Sequence, residues 1–228
     1  FVRRLLAQPL NALFPELARG PLGGRREAFQ AFVQLFSVCG LGAGLALALS
    51  PGAFIRLLAS PEFDRGIPIL RVLALVPPLM VLYGPLTTAL RAGGSMRQGA
   101  VSDALWVVTY LGFGALALRS LGSLGLAVGQ VLASLVALAW NLGAGRPEDR
   151  LGLPWAALVR QWAAAAVALG LGWLAPGGET GWWRALAGDA AFVVLVRLGG
   201  GLSREARAQV RARLPERLRG VFGALAGS

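Results

Sequence analysis

The stretch 28-AFQAFVQLFSVCGLGAGLALAL-49 carries no charged residue. At a rise of about 1.5 Å per residue, a helix of that length crosses the roughly 30 Å hydrocarbon core of a bilayer. A helix on the surface of a soluble domain carries an apolar stripe with a 3.6-residue period. Here the apolar residues form a block instead of a stripe. Comparable blocks of about 18 to 22 residues recur along the chain, each near the length a membrane span needs. They cover about Ile67 to Leu90, Val101 to Leu118, Leu124 to Leu142, Trp155 to Leu174 and Trp182 to Leu198. The pattern predicts an all-α, polytopic transmembrane helix bundle with six spans between residues 28 and 200.

Composition points the same way. Of 228 residues, 56% are hydrophobic and 14% charged, against roughly 25% charged in soluble domains. Mean hydropathy is +0.63. The chain has no histidine, which removes the commonest general base and metal ligand. Its single cysteine, Cys39, lies inside an apolar block and cannot form an internal disulfide. The net charge of +11 comes from 22 basic residues, all arginine. They fall in the gaps between blocks and at the C-terminus, without the motifs of a nucleic-acid module. Anionic lipid headgroups account for them better than nucleic acid does.

The flanks differ from the bundle. Residues 1–27 read as the end of a truncated helix, Leu5 to Leu17 with Pro9 and Pro15, followed by a polar cytoplasmic loop. The opening Phe1-Val2-Arg3-Arg4 has no signal-peptide pattern, and the chain is read as the C-terminal part of a longer protein. Residues 201–228 form a basic amphipathic tail. Ala206, Val210, Leu214 and Leu218 recur every four residues among six arginines, the pattern of a helix lying on acidic lipid.

Arginine distribution orients the spans. One set of alternate gaps holds Arg19, Arg25 and Arg26, then Arg91 and Arg97, then Arg146, Arg150 and Arg160, then the tail. The other set holds only Arg56, Arg65, Arg119 and Arg184. Basic residues favour the cytoplasmic side. The 91–99 and 143–154 loops and the C-terminus are therefore expected to face the cytoplasm, in a multi-pass protein of the inner (cytoplasmic) membrane. Trp155, Trp182 and Trp183 stand at span ends, where indole rings anchor in the headgroup zone.

Charges inside spans are the candidates for function, because each is costly unless paired or hydrated. Arg71 lies one turn inside the outer end of the second span, either snorkelling to headgroups or facing a polar cavity and holding an anionic substrate group. Pro77 and Pro78 interrupt the same span and read as a bend or hinge. Arg91, Arg97 and Asp103 gather at the inner mouth, where Asp103 can pair with either arginine or simply favour a helix start. Asp189 and Arg197 lie in the sixth block. Gly40, Gly42, Gly44, Gly170 and Gly172 allow close helix packing or a flexing hinge. Gln34, Gln130 and Asn141 read as polar glue between helices. Nothing supports catalysis: there is no clustered carboxylate set, no cysteine pair and no phosphate-binding glycine loop. No resident cofactor is expected.

Several short motifs occur in a familiar order: Leu13-Phe14-Pro15-Glu16-Leu17-Ala18-Arg19, Ser60-Pro61-Glu62-Phe63, Ile67-Pro68-Ile69-Leu70-Arg71-Val72-Leu73-Ala74, Arg91-Ala92-Gly93-Gly94-Ser95-Met96-Arg97, and Leu121-Gly122-Ser123-Leu124-Gly125-Leu126-Ala127. In order and spacing they resemble the C-terminal half of the polysaccharide flippases of the multidrug/oligosaccharidyl-lipid/polysaccharide exporter superfamily, the Wzx type, and of their relative the lipid II flippase MurJ. The resemblance covers roughly residues 5 to 142. It implies one lobe of a two-lobe transporter, with the other lobe supplied by a missing N-terminal part. It further implies movement of a lipid-pyrophosphate-linked glycan by alternating access, coupled to an ion such as sodium or a proton. The competing readings are a drug/cation antiporter of the same superfamily, a scaffold of envelope synthesis, and a membrane glycan-processing enzyme.

Overall fold

The computed structural model describes residues 22–144, 152–176, 178, 181–203 and 208, and every regular element among them is helical. The order is α1 (Leu22–Leu49), α2 (Pro51–Leu58), a 3₁₀ turn (Pro61–Gly66), α3 (Ile67–Leu73), α4 (Val76–Ala92), α5 (Met96–Leu121), α6 (Ser123–Ala144), α7 (Trp155–Leu174) and α8 (Trp183–Leu198). The truncated helix at Leu5 to Leu17, Arg146 and Arg150 of the 143–154 loop, and the amphipathic stripe of the tail lie outside the described residues.

Among the described residues, four helices are long and apolar enough to cross a membrane: α1 from Arg26 onward, α5, α6 and α7. The stretch from Glu62 to Ala92 makes a fifth when its two parts are taken as one span, bent by 42°. Of the six expected spans, α8 is the short one. Its 16 residues give about 24 Å, less than the hydrocarbon core.

Helix ends also run beyond the sequence boundaries. Residues 22–27, expected in a loop, are the first turns of α1. Residues Met96 to Gly99, expected in the inner loop, open α5 and leave only Gly93-Gly94-Ser95 as a connection. Extending a helix costs far less than starting one, so an anchored span continues into the polar flank. The connections on either side of α5 use glycine for a left-handed backbone: Gly94 at φ +86° between α4 and α5, and Gly122 at φ +57° between α5 and α6.

Helix α1 runs through the middle of the bundle. On one side it packs against α4, with Phe29 and Val33 meeting Leu82 and, from α7, Leu158. On the other, Leu41 and Leu45 meet Ala164, Ala165 and Ala168 of α7 and Phe192 and Val196 of α8. Helix α6 packs on α3 and α4, and α5 pairs closely with α6 at the edge. Lipid tails are as apolar as leucine, so small residues that let backbones approach decide where such helices meet. Gly40 lies against Val81 and the Pro77 carbonyl, and Gly44 against the Ala74 carbonyl and the Pro78 ring. Gly125 and Gly129 of α6 lie against Ala117 and Gly114 of α5. Gly172 and Gly188 together leave a notch for Leu49. Gly170 meets nothing and plays no part in this packing.

Candidate functional site

The break in the second apolar block starts from its prolines. Pro77 and Pro78 have no N–H, so the carbonyls of Leu73 and Ala74 lose their helical donors. The chain answers by ending α3 at Leu73 and restarting α4 at Val76, which places both prolines in the first turn of α4 instead of in a helix interior. That position suits proline, since first-turn N–H groups have no helical acceptor. The expected bend is present, and its location is residues 74–75, immediately before the two prolines.

The bend aims α3 across the end of the bundle where α1 finishes and α8 begins. Arg71 of α3 places its guanidinium 5.5 Å from the ring centre of Trp173 on α7. Arg184 of α8 places its own 5.2 Å from the same ring. Arg184 Nε also donates to the Ala175 carbonyl at 3.4 Å, capping the end of α7. A guanidinium over an indole gains about 0.5–2 kcal/mol, more as water is excluded. Helix α3 and the distant α7–α8 pair thus concentrate two cations on one aromatic platform. Ser50 closes the floor nearby: its hydroxyl donates to the Gly181 carbonyl at 2.8 Å and accepts from the Ala185 N–H at 3.2 Å. Phe54 stacks edge-on against Trp182, with ring centres 4.9 Å apart.

The opposite end collects the other charged segments. Arg91 forms an ion pair with Asp103, and its side chain lies over Gly99, where any Cβ would collide with it. Arg97 is exposed and stands apart from that pair. Trp140 Nε1 donates to the Gln98 carbonyl at 3.2 Å. Gln30 Nε2 donates to the Gly152 carbonyl at 3.0 Å, and the Ser203 N–H donates to Gln34 Oε1 at 2.8 Å. The 91–99 segment, Gly152 and Ser203 therefore share the end of the bundle where α1 begins.

Within the bundle the amides act as glue. Gln161, fully buried, donates to the Gln34 carbonyl at 3.1 Å and to the Gly201 carbonyl at 2.6 Å. Asn141 Nδ2 donates to Thr87 Oγ1 at 2.7 Å, tying α6 to α4. Asp189 sits on α8 opposite Gly42 of α1, and its Oδ1 has no hydrogen-bond partner among the described residues. No group of three or more His, Cys, Asp or Glu that could hold a metal occurs among the described residues.

Comparison with family models, curated proteins and solved structures finds no match.

The chemistry open to this chain therefore rests on its own geometry. The Arg71–Trp173–Arg184 cluster can hold an anionic or aromatic group at the end of the bundle, next to the span that bends. Trp173 and Arg184 carry no sequence signal of this role, because Trp173 reads as an apolar span residue and Arg184 as a loop cation. Gly125 and Gly129 are different. Their four-residue spacing is the small-residue packing pattern of membrane helices and is visible in the sequence alone.

Proposed function

We propose that this chain is one lobe of a membrane transporter that flips a lipid-pyrophosphate-linked oligosaccharide across the cytoplasmic membrane by alternating access. The observation that carries the reading is the pair of guanidiniums, Arg71 and Arg184, held on Trp173 beside a proline-broken span. A pyrophosphate cannot enter hydrocarbon unpaired, so its carrier needs fixed cations where the group is released or received. It also needs a helix that bends without losing its packing. The break at residues 74–75 stands against Gly40 and Gly44 and meets that need.

On this reading the Arg71 end is the outer mouth, and the end holding Arg91, Arg97 and Asp103 is cytoplasmic, in keeping with the arginine bias. Helix α8 is a sixth crossing that the bilayer meets by thinning locally. A second lobe supplies the opposite wall of the cavity, the lipid tail of the substrate stays in the membrane, and sodium or proton flux drives the cycle. The drug/cation antiporter is the rival, and two arginines at the mouth disfavour a cationic cargo.

The test uses full-length protein in proteoliposomes with a lipid-linked oligosaccharide. Arg71→Ala and Arg184→Ala are each expected to lower flipping about tenfold, the loss of one charge-assisted contact, while membrane insertion is unchanged. Wild-type flipping by both variants would return these arginines to headgroup anchoring. Transport of a cationic dye in place of the glycan would establish the antiporter.

A further inference from the structure

Helix α2, the 3₁₀ turn and α3 wrap a cavity of about 460 Å³ at the Ser50 end of the bundle, within the roughly 300–1,000 Å³ of small-molecule sites. It is separate from the Arg71 cluster. Its inner walls are apolar and half-buried: Phe54, Ile55, Ile69, Leu70 and Leu73. Its polar members, Glu62, Arg65 and Ser123, are exposed and stand at the mouth. A cavity for a polar solute would carry convergent polar groups in its walls; this one has them only at the rim.

The surroundings say which medium the mouth meets. Leu57, Leu58 and Phe63 are 67%, 81% and 61% exposed beside Arg56, Asp64 and Arg65. Large apolar side chains mixed with charges on a short surface helix mark an element lying in the membrane interface. The ionic pattern is selective too. Arg56 is occupied by Asp64 at 3.4 Å. Glu62 and Arg65 form no ion pair among the described residues. They are three residues apart in a 3₁₀ turn, which aligns i and i+3 on one face. One cation and one anion are therefore offered side by side over an apolar cavity. Ser123 adds the N-terminus of α6, whose dipole favours a phosphate.

We propose that this cavity holds one acyl chain of a zwitterionic glycerophospholipid, with the lipid phosphate on Arg65 and its ammonium on Glu62. The site is structural for the bent span, because the chain would pack against α3 directly above the break. It does not depend on the transport reading.

Native mass spectrometry of the full chain in mild detergent tests it, with phosphatidylethanolamine and phosphatidylglycerol of equal chain length offered in equal amounts. One retained lipid is expected, with phosphatidylethanolamine preferred. Glu62→Gln should bring the two lipids to near parity. Arg65→Gln should lower retention of both by about tenfold, the value of one charge-assisted contact. Leu70→Trp should fill the cavity and abolish retention. Both rim residues are exposed, so the first two variants keep the fold even if the third disturbs it. Retention of detergent alone, equal retention of both lipids by the wild type, or retention indifferent to all three variants would overturn the proposal. Flipping is read separately and can fail without touching this result.

Discussion

Two of the glycine pairs at which helices of this bundle meet do different work. Gly125 and Gly129 let α5 and α6 run side by side as unbroken helices, with Ala117 and Gly114 as the opposing surface. Gly40 and Gly44 receive a helix that is broken, and the atoms against them are the Pro77 and Ala74 carbonyls, the Pro78 ring and Val81. The first contact is backbone against backbone along a regular ladder. The second accepts the Ala74 carbonyl, which Pro78 leaves without its helical donor, together with the Pro78 ring and the Pro77 carbonyl. The same residue type thus fixes one interface and lets the other tolerate a bend. The peripheral α5 has 17% of its span buried and the central α1 50%, so α5 depends mainly on its glycine contact with α6 while α1 packs on several helices.

The comparison breaks most sharply at Gly125. An added Cβ there would lie 2.5 Å and 2.6 Å from the carbonyl carbon and oxygen of Ala117, and a backbone cannot give way as a side chain can. Gly125→Ala is expected to cost about 1–3 kcal/mol, read as a lowered melting temperature in detergent with α5 detached. A variant that melts like wild type would show that the two helices slide apart freely.

Gly44→Ala comes next. Its Cβ would stand 2.7 Å from the Ala74 carbonyl and 3.0 Å from the Pro78 ring, and a cost of about 1–2 kcal/mol is expected. The informative measurement is the double-mutant cycle with Pro78→Ala. Alanine at 78 returns an N–H to the Ala74 carbonyl, turns it into the helix and removes the ring, so Gly44→Ala should cost clearly less in that background. Strict additivity would mean that the bend and the glycine are independent.

Gly40→Ala should cost less than Gly44→Ala. Its nearest neighbours are the two methyls of Val81, at 2.7 Å, side-chain atoms that can yield by a small shift, whereas at Gly44 the atom at that distance is a backbone carbonyl. A larger loss would put the Pro77 carbonyl, at 3.0 Å, in control.

The smallest effect is expected away from both contacts. Asp103→Asn removes the partner of Arg91 at an exposed position, and such pairs contribute about 0.2–1 kcal/mol. A loss well above that range would mean that Arg91, lying over Gly99, depends on Asp103 to hold the turn between α4 and α5.

Much of the helical architecture was legible because an apolar block of membrane-crossing length reads as one helix. Blocks such as Ala28 to Leu49 and Trp155 to Leu174 announce their helices within a few residues, and the arginine bias agrees with the ends at which the connections gather. The prolines at 77 and 78 announced a bend. What the block pattern could not carry is where the helix stops around them, since that depends on the glycines of α1 that accept the bent backbone.

Sequence by itself determined that this chain is helical and membrane-like, because apolar length and charge spacing are local properties. Only the tertiary structure decided which residues act together. Arg71, Trp173 and Arg184 come from three separate helices, and no local pattern ties them. They meet because α3 is tilted by the break and α1 is thin enough, at Gly40 and Gly44, to let it lean. The apolar cavity under Glu62 and Arg65 has the same origin: a straight span in place of α3 and α4 would leave no angle for it to occupy.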